Sequence, residues 1–199
     1  MFERIRTHPR LAMFAAAYYL VFLGIGFTGP VGTAVTYAVF MPVAFAIVLR
    51  VDMRAGLTTV TLAGLAVWGL GHMAGGLVPI GGEVLYEQWL LPFLRFDHVV
   101  HAVGFGFAGL AVWETLRVNM SDATAGAAGT VVFLGGMGLG GLNELLEFLI
   151  TRVSAETNVG GFENTGWDLA ANSVGTATAA TWVALSRANR RRPSGQPAS

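Results

Sequence analysis

The sequence predicts an all-α polytopic membrane helix bundle with six transmembrane helices, N-in/C-in. Three observations carry that prediction. The chain is 54% hydrophobic and only 12% charged, about half the charged share of a soluble domain. Its apolar residues fall in six long runs, with the charges gathered at the chain ends and between the runs. Its basic residues, all of them arginine, divide unevenly between the two sides that those runs define.

A bilayer core needs roughly 20 mostly apolar residues per helix. The stretches that qualify are 11-27, 31-49, 57-78, 97-114, 125-151 and 167-186. The first follows a basic start and resembles a signal peptide. However, it is long, and no small-residue cleavage site follows it, so it is expected to be a retained span. With the N-terminus inside, Arg4, Arg6, Arg10, Arg50, Arg54, Arg117, Arg187, Arg190, Arg191 and Arg192 are cytoplasmic. Only Arg95 and Arg152 are external. That asymmetry follows the positive-inside rule and places both termini in the cytoplasm of a cell carrying the chain in its inner membrane. Residues 1-190 form a single domain, and 191-199 a disordered cytoplasmic tail.

The two longer outer loops differ in character. Residues 79–96 mix Tyr86, Trp89, Leu90, Leu91 and Phe93 with Glu83 and Glu87, which suits a short helix lying in the headgroup region. Residues 154–166 are rich in Gly, Asn and Thr, as an aqueous loop would be.

Several function classes drop out. Without cysteine there are no disulfides and no thiolate metal sites. A net charge of zero offers no electrostatic surface for nucleic acid. Gly104, Gly106 and Gly109 spell GxGxxG, but no strand precedes them. Like Gly71 with Gly75, and Gly136 with Gly140, they are expected to let helices approach closely. The expected partners are membrane lipids, with a homodimer through the glycine-rich faces as a further option. HExxH and nucleophile-elbow motifs are absent.

Ionisable groups inside spans are the sharpest signal, because each Asp or Glu near a helix centre costs roughly 2.5–3.5 kcal/mol on insertion. Asp97 and His101 lie four apart and share a face of the fourth span. Glu144 and Glu147, three apart, share a face of the fifth, and Asp168 and Asn172, four apart, a face of the sixth. At about 1.5 Å per residue these groups, with His72 of the third span, fall at one level near the outer leaflet. His98 lies about 100° round from Asp97. Glu114 is seventeen residues from Asp97, roughly 25 Å along the helix, and is expected at the cytoplasmic edge, paired with Arg117 at i+3.

Two readings of the cluster stay open. In one, Asp97, His101, Glu144, Glu147 and Asp168 bind one or two divalent metal ions of unnamed identity, with His72, His98 and Asn172 in supporting positions. Bound water would then be activated for hydrolysis of a lipid or envelope precursor, with Glu144 or Glu147 as general base. In the other, the same residues form a proton or cation pathway, or a hydrogen-bonded network that fixes helix order.

The stretch Phe96-Asp97-His98-Val99-Val100-His101, then Glu114, Glu144-Leu145-Leu146-Glu147 and Trp167-Asp168, resembles the YjdF-like bacterial inner-membrane proteins. Asp168, Asn172 and Gly175 are similar to the VanZ-like membrane proteins, which are associated with glycopeptide resistance. The resemblance covers roughly residues 96–180. It implies a multi-pass membrane protein with a shared polar site, and no particular reaction.

Overall fold

The computed structural model describes residues 7–29, 31–153 and 161–190. Among these residues six helices form the bundle: α1 (Pro9–Gly26), α2 (Val31–Ala55), α3 (Thr59–Leu77), α4 (Phe96–Leu116), α5 (Ala125–Val153) and α6 (Phe162–Arg190). The first five are long and apolar enough to cross a membrane. The sixth, at 29 residues, is long enough, but its Asn, Ser and Thr residues make it more polar than the others. The expected tail, 191–199, and the first part of the 154–166 loop lie outside the described residues.

Local signals set the ends. Pro9 opens α1, where its missing N–H costs no helical hydrogen bond. Gly56, at φ +63°, ends α2 in the left-handed conformation that glycine tolerates. Asp52 then accepts the Leu57 N–H at 2.9 Å, and Thr58 caps α3 by accepting the Thr61 N–H. The helix α2 runs six residues beyond the expected boundary at 49. The apolar run ends near Arg50, but hydrogen bonding continues through Val51-Asp52-Met53-Arg54. Likewise α6 begins at Phe162, so 162–166 is helical and not loop.

The surface helix expected within 79–96 is reduced to one 3-10 turn, Leu85–Glu87, between two short antiparallel ribbons: β1 (Pro79–Ile80) with β2 (Glu83–Val84), and β3 (Trp89–Leu91) with β4 (Leu94–Arg95). Gly81 and Gly82, both at positive φ, supply the tight turn between the first two strands, and Pro92 interrupts the second segment. Trp89, Leu90, Leu91 and Phe93 stay exposed, as residues at headgroup level do.

Helices α4, α5 and α6 pack closely against one another, α3 packs on α4, and α1 on α3. Leu110, Trp113, Ala128, Val132, Ala179 and Val183 form the core among α4, α5 and α6. Glycine makes this packing possible. A Cβ on Gly175 would meet the Ala102 carbonyl, one on Gly106 would lie 3.0 Å from the Gly175 carbonyl, and one on Gly136 2.7 Å from that of Phe105. Gly71, Gly75, Gly104, Gly109 and Gly140 also meet neighbours within the chain. The GxGxxG string is therefore a packing face.

At the end of the bundle where α3 begins and α4 finishes, Glu114 accepts from the Thr58 N–H and hydroxyl, both at 2.8 Å, and from the Thr61 hydroxyl at 2.9 Å. The expected pair with Arg117 is not formed. Glu114 is buried, and the N–H groups at the start of α3 are better partners than an exposed guanidinium.

Candidate metal centre

The start of α4, the end of α5 and the start of α6 lie at the opposite end of the bundle from Glu114. Asp97 and His101 stand on successive turns of α4, with Asp97 Oδ1 3.6 Å from His101 Nε2. From α5, Glu144 Oε1 lies 3.6 Å from His101 Nδ1. The imidazole thus turns one nitrogen towards Asp97 and the other towards Glu144.

The remaining carboxylates complete two groups around the same ring. Asp97, His101 and Asp168 offer ligand atoms within 4.8 Å of one another, and so do His101, Glu144 and Glu147. His101, Glu144, Asp168 and Asn172 are buried. Among the described residues, His101 Nδ1, both oxygens of Glu144, Asp168 Oδ1 and both side-chain polar atoms of Asn172 have no hydrogen-bond partner. Buried polar groups are ordinarily satisfied, so such a concentration of unpartnered atoms calls for an explanation.

The distances supply one. At 3.6 Å, the His101–Asp97 and His101–Glu144 contacts are too long for hydrogen bonds. They are close to the edge of a coordination tetrahedron, about 3.4 Å for ligands about 2.1 Å from a metal. Either group, one imidazole with two carboxylates, suits Zn, Fe or Mn better than a soft ion.

Two amides that the sequence pattern of ionisable groups does not mark join the cluster. Asn164 donates to Asp168 Oδ2 at 2.5 Å, and Asn143 donates to Glu147 Oε1 at 2.6 Å. Each holds a carboxylate four residues further along its own helix, so the i, i+4 rule that paired Asp97 with His101 would also have found them.

His72 and His98 stand apart from both groups. Tyr86 lies 2.5 Å from His72 Nδ1 and also donates to the His72 carbonyl at 3.0 Å, and Tyr37 and Trp68 pack around the ring. His98 Nδ1 accepts the Arg95 N–H at 3.3 Å, capping α4, and its ring stacks on Trp167. Asn172 lies beside His101, packed against Gly140.

A family model described as "Predicted membrane protein (DUF2238)" matches residues 9–189. The chain belongs to this family. The stretch matched to DUF2238 takes in all the candidate residues, from His72 in α3 to Asn172 in α6. No curated protein and no solved structure matches the chain. The DUF2238 match agrees with the expectation of a multi-pass membrane protein, and the chemistry of the site has to be argued from its own geometry.

Proposed function

We propose that this membrane protein binds a divalent metal ion at His101 with Asp97 and Asp168, or with Glu144 and Glu147, and uses it for hydrolysis at the membrane surface. The observation carrying this reading is the imidazole held 3.6 Å from a carboxylate at each ring nitrogen. A metal on one nitrogen would leave the other to orient the ring against the opposite carboxylate, as metal-bound histidines commonly do. The ion's role would be to lower the pKa of water and polarise a carbonyl or phosphoryl oxygen. With the ion held by Asp97, His101 and Asp168, Glu144, with both oxygens unpartnered, suits the role of general base.

The arginine distribution supports a site at the outer leaflet of the inner membrane, with both termini in the cytoplasm. A lipid or envelope precursor is the substrate class that a site at that depth would meet. Helix-locking alone is a weaker account of the cluster. A structural network gains from satisfied hydrogen bonds, and here the central groups are the unsatisfied ones.

Metal content of the full chain, purified in detergent, tests the proposal. One or two divalent ions per chain are expected, and Glu144→Gln should leave the protein folded while abolishing hydrolysis. A folded protein that binds no added Zn²⁺ or Mn²⁺ would sink the reading.

A further inference from the structure

Beside the candidate centre, a cleft of about 320 Å³ opens between the ribbons and the start of α6, lined among others by Glu87, Trp89, Arg95, His98, Glu163 and Trp167. That volume suits a small headgroup. Resting on the reading above, we propose that this cleft binds the amine-bearing headgroup of a bilayer lipid and presents that lipid to the cluster.

Charge selects the ligand. Among the described residues of the lining the cation is Arg95, and it is already engaged: its guanidinium is 3.0 Å from Glu87 and lies 4.8 Å above the Trp89 ring. Glu163, exposed at the first turn of α6, has no ion pair among the described residues. Among those residues an anionic headgroup would therefore meet an unpaired carboxylate and no free cation. An ammonium group would meet that carboxylate and the indole of Trp167. Trp167 is 55% exposed although its ring stacks on His98. Arg95 over Trp89 is itself a cation on an indole face, and a ligand ammonium would repeat that contact.

Position selects the source. Leu90, Leu91 and Phe93 of the second ribbon are exposed beside Trp89, and Phe162, next to Glu163, is exposed almost completely. These side chains flank the cleft with apolar surface for acyl chains. Asn164 connects cleft and cluster. It belongs to the lining, and its amide donates to Asp168.

The test titrates the full chain in maltoside detergent with dihexanoylphosphatidylethanolamine, dihexanoylphosphatidylglycerol and free phosphoethanolamine, read by calorimetry. The amine lipid should bind at least about tenfold more tightly than the glycerol lipid. Glu163→Gln and Trp167→Ala should each erase most of that preference without changing metal content. Equal or tighter binding of the glycerol lipid overturns the proposal, and so does an undiminished preference in folded Glu163→Gln. Free phosphoethanolamine binding as tightly as the lipid overturns the lipid assignment. The amine preference should survive His101→Ala, so a failure of metal binding and a failure of headgroup selection are separately visible.

Discussion

Removing the Glu114 carboxylate tests the end of the bundle remote from the centre, where the structure permits a worked magnitude. Three donors converge on it: the Thr58 N–H, the Thr58 hydroxyl and the Thr61 hydroxyl, all within 2.9 Å. A hydrogen bond to a charged group contributes about 1.5–3 kcal/mol, and a buried donor left unsatisfied costs about 1–3 kcal/mol. In Glu114→Ala the two hydroxyls, already 3.1 Å apart, can turn to each other, but the Thr58 N–H cannot turn. The expected loss is therefore about 3–5 kcal/mol, well short of the three contacts summed. Glu114→Gln keeps one acceptor oxygen for the hydroxyls and sets its amide NH₂ against the Thr58 N–H, for a loss of about 1–3 kcal/mol. Arg117→Ala, on an exposed residue, should change stability by less than about 0.5 kcal/mol. Equilibrium unfolding of the full chain in mixed micelles, followed by circular dichroism, gives all three values. If Arg117→Ala costs as much as Glu114→Ala, the carboxylate is answering a guanidinium and not the start of α3, and the reasoning fails.

Gly175→Ala would drive a methyl group into the Ala102 carbonyl. It should destabilise by about 1–3 kcal/mol in the same unfolding assay and lower metal content by moving Asp168 away from Asp97; a variant with unaltered stability would contradict the close α4–α6 crossing. Topology is testable by single-cysteine labelling, since the chain has no native cysteine. Phe93→Cys should react with an impermeant maleimide from outside, and Val118→Cys only from the cytoplasm; both positions are 72% exposed, and the reversed pattern would overturn the N-in orientation.

What could be read in the sequence, and what could not, divides along one physical line. Hydropathy found the helices because burial in lipid is a property of each segment alone, although only the first five are apolar enough to cross a membrane on that ground and α6 is more polar. Hydropathy misplaced the ends of α2 and α6 because helical hydrogen bonding continues past the last apolar residue, through Asp52 in one case and from Phe162 in the other. In 79–96 the apolar and acidic residues suggested an interfacial helix, but Gly81, Gly82 and Pro92 impose turns that composition does not weigh.

The site shows the same division at the level of side chains. Asp97 beside His101 is legible because helix geometry fixes neighbours four residues apart, whereas the carboxylate of Asp168 is held by Asn164 and not by the expected Asn172. Partners on different helices are set by how those helices cross, and no spacing rule reaches them. Glu114 was therefore assigned to the nearest opposite charge in sequence, whereas its partners stand 53 and 56 residues away. His98 caps α4 and His72 is held by Tyr86, contacts that neither depth nor helix position reveals. The exception is the convergence on His101, expected because α4 and α6 start, and α5 ends, at one face of the membrane. Alternating span direction is itself a long-range constraint: it sorts residues by depth before any packing is known. Depth left open which ring nitrogen of His101 meets which carboxylate, and the crossing of α4 over α6 at Gly175 helps set that arrangement. A substitution at Gly175 should accordingly disturb the centre while leaving every candidate ligand in place, the behaviour that separates a site built by helix crossing from one built by local sequence.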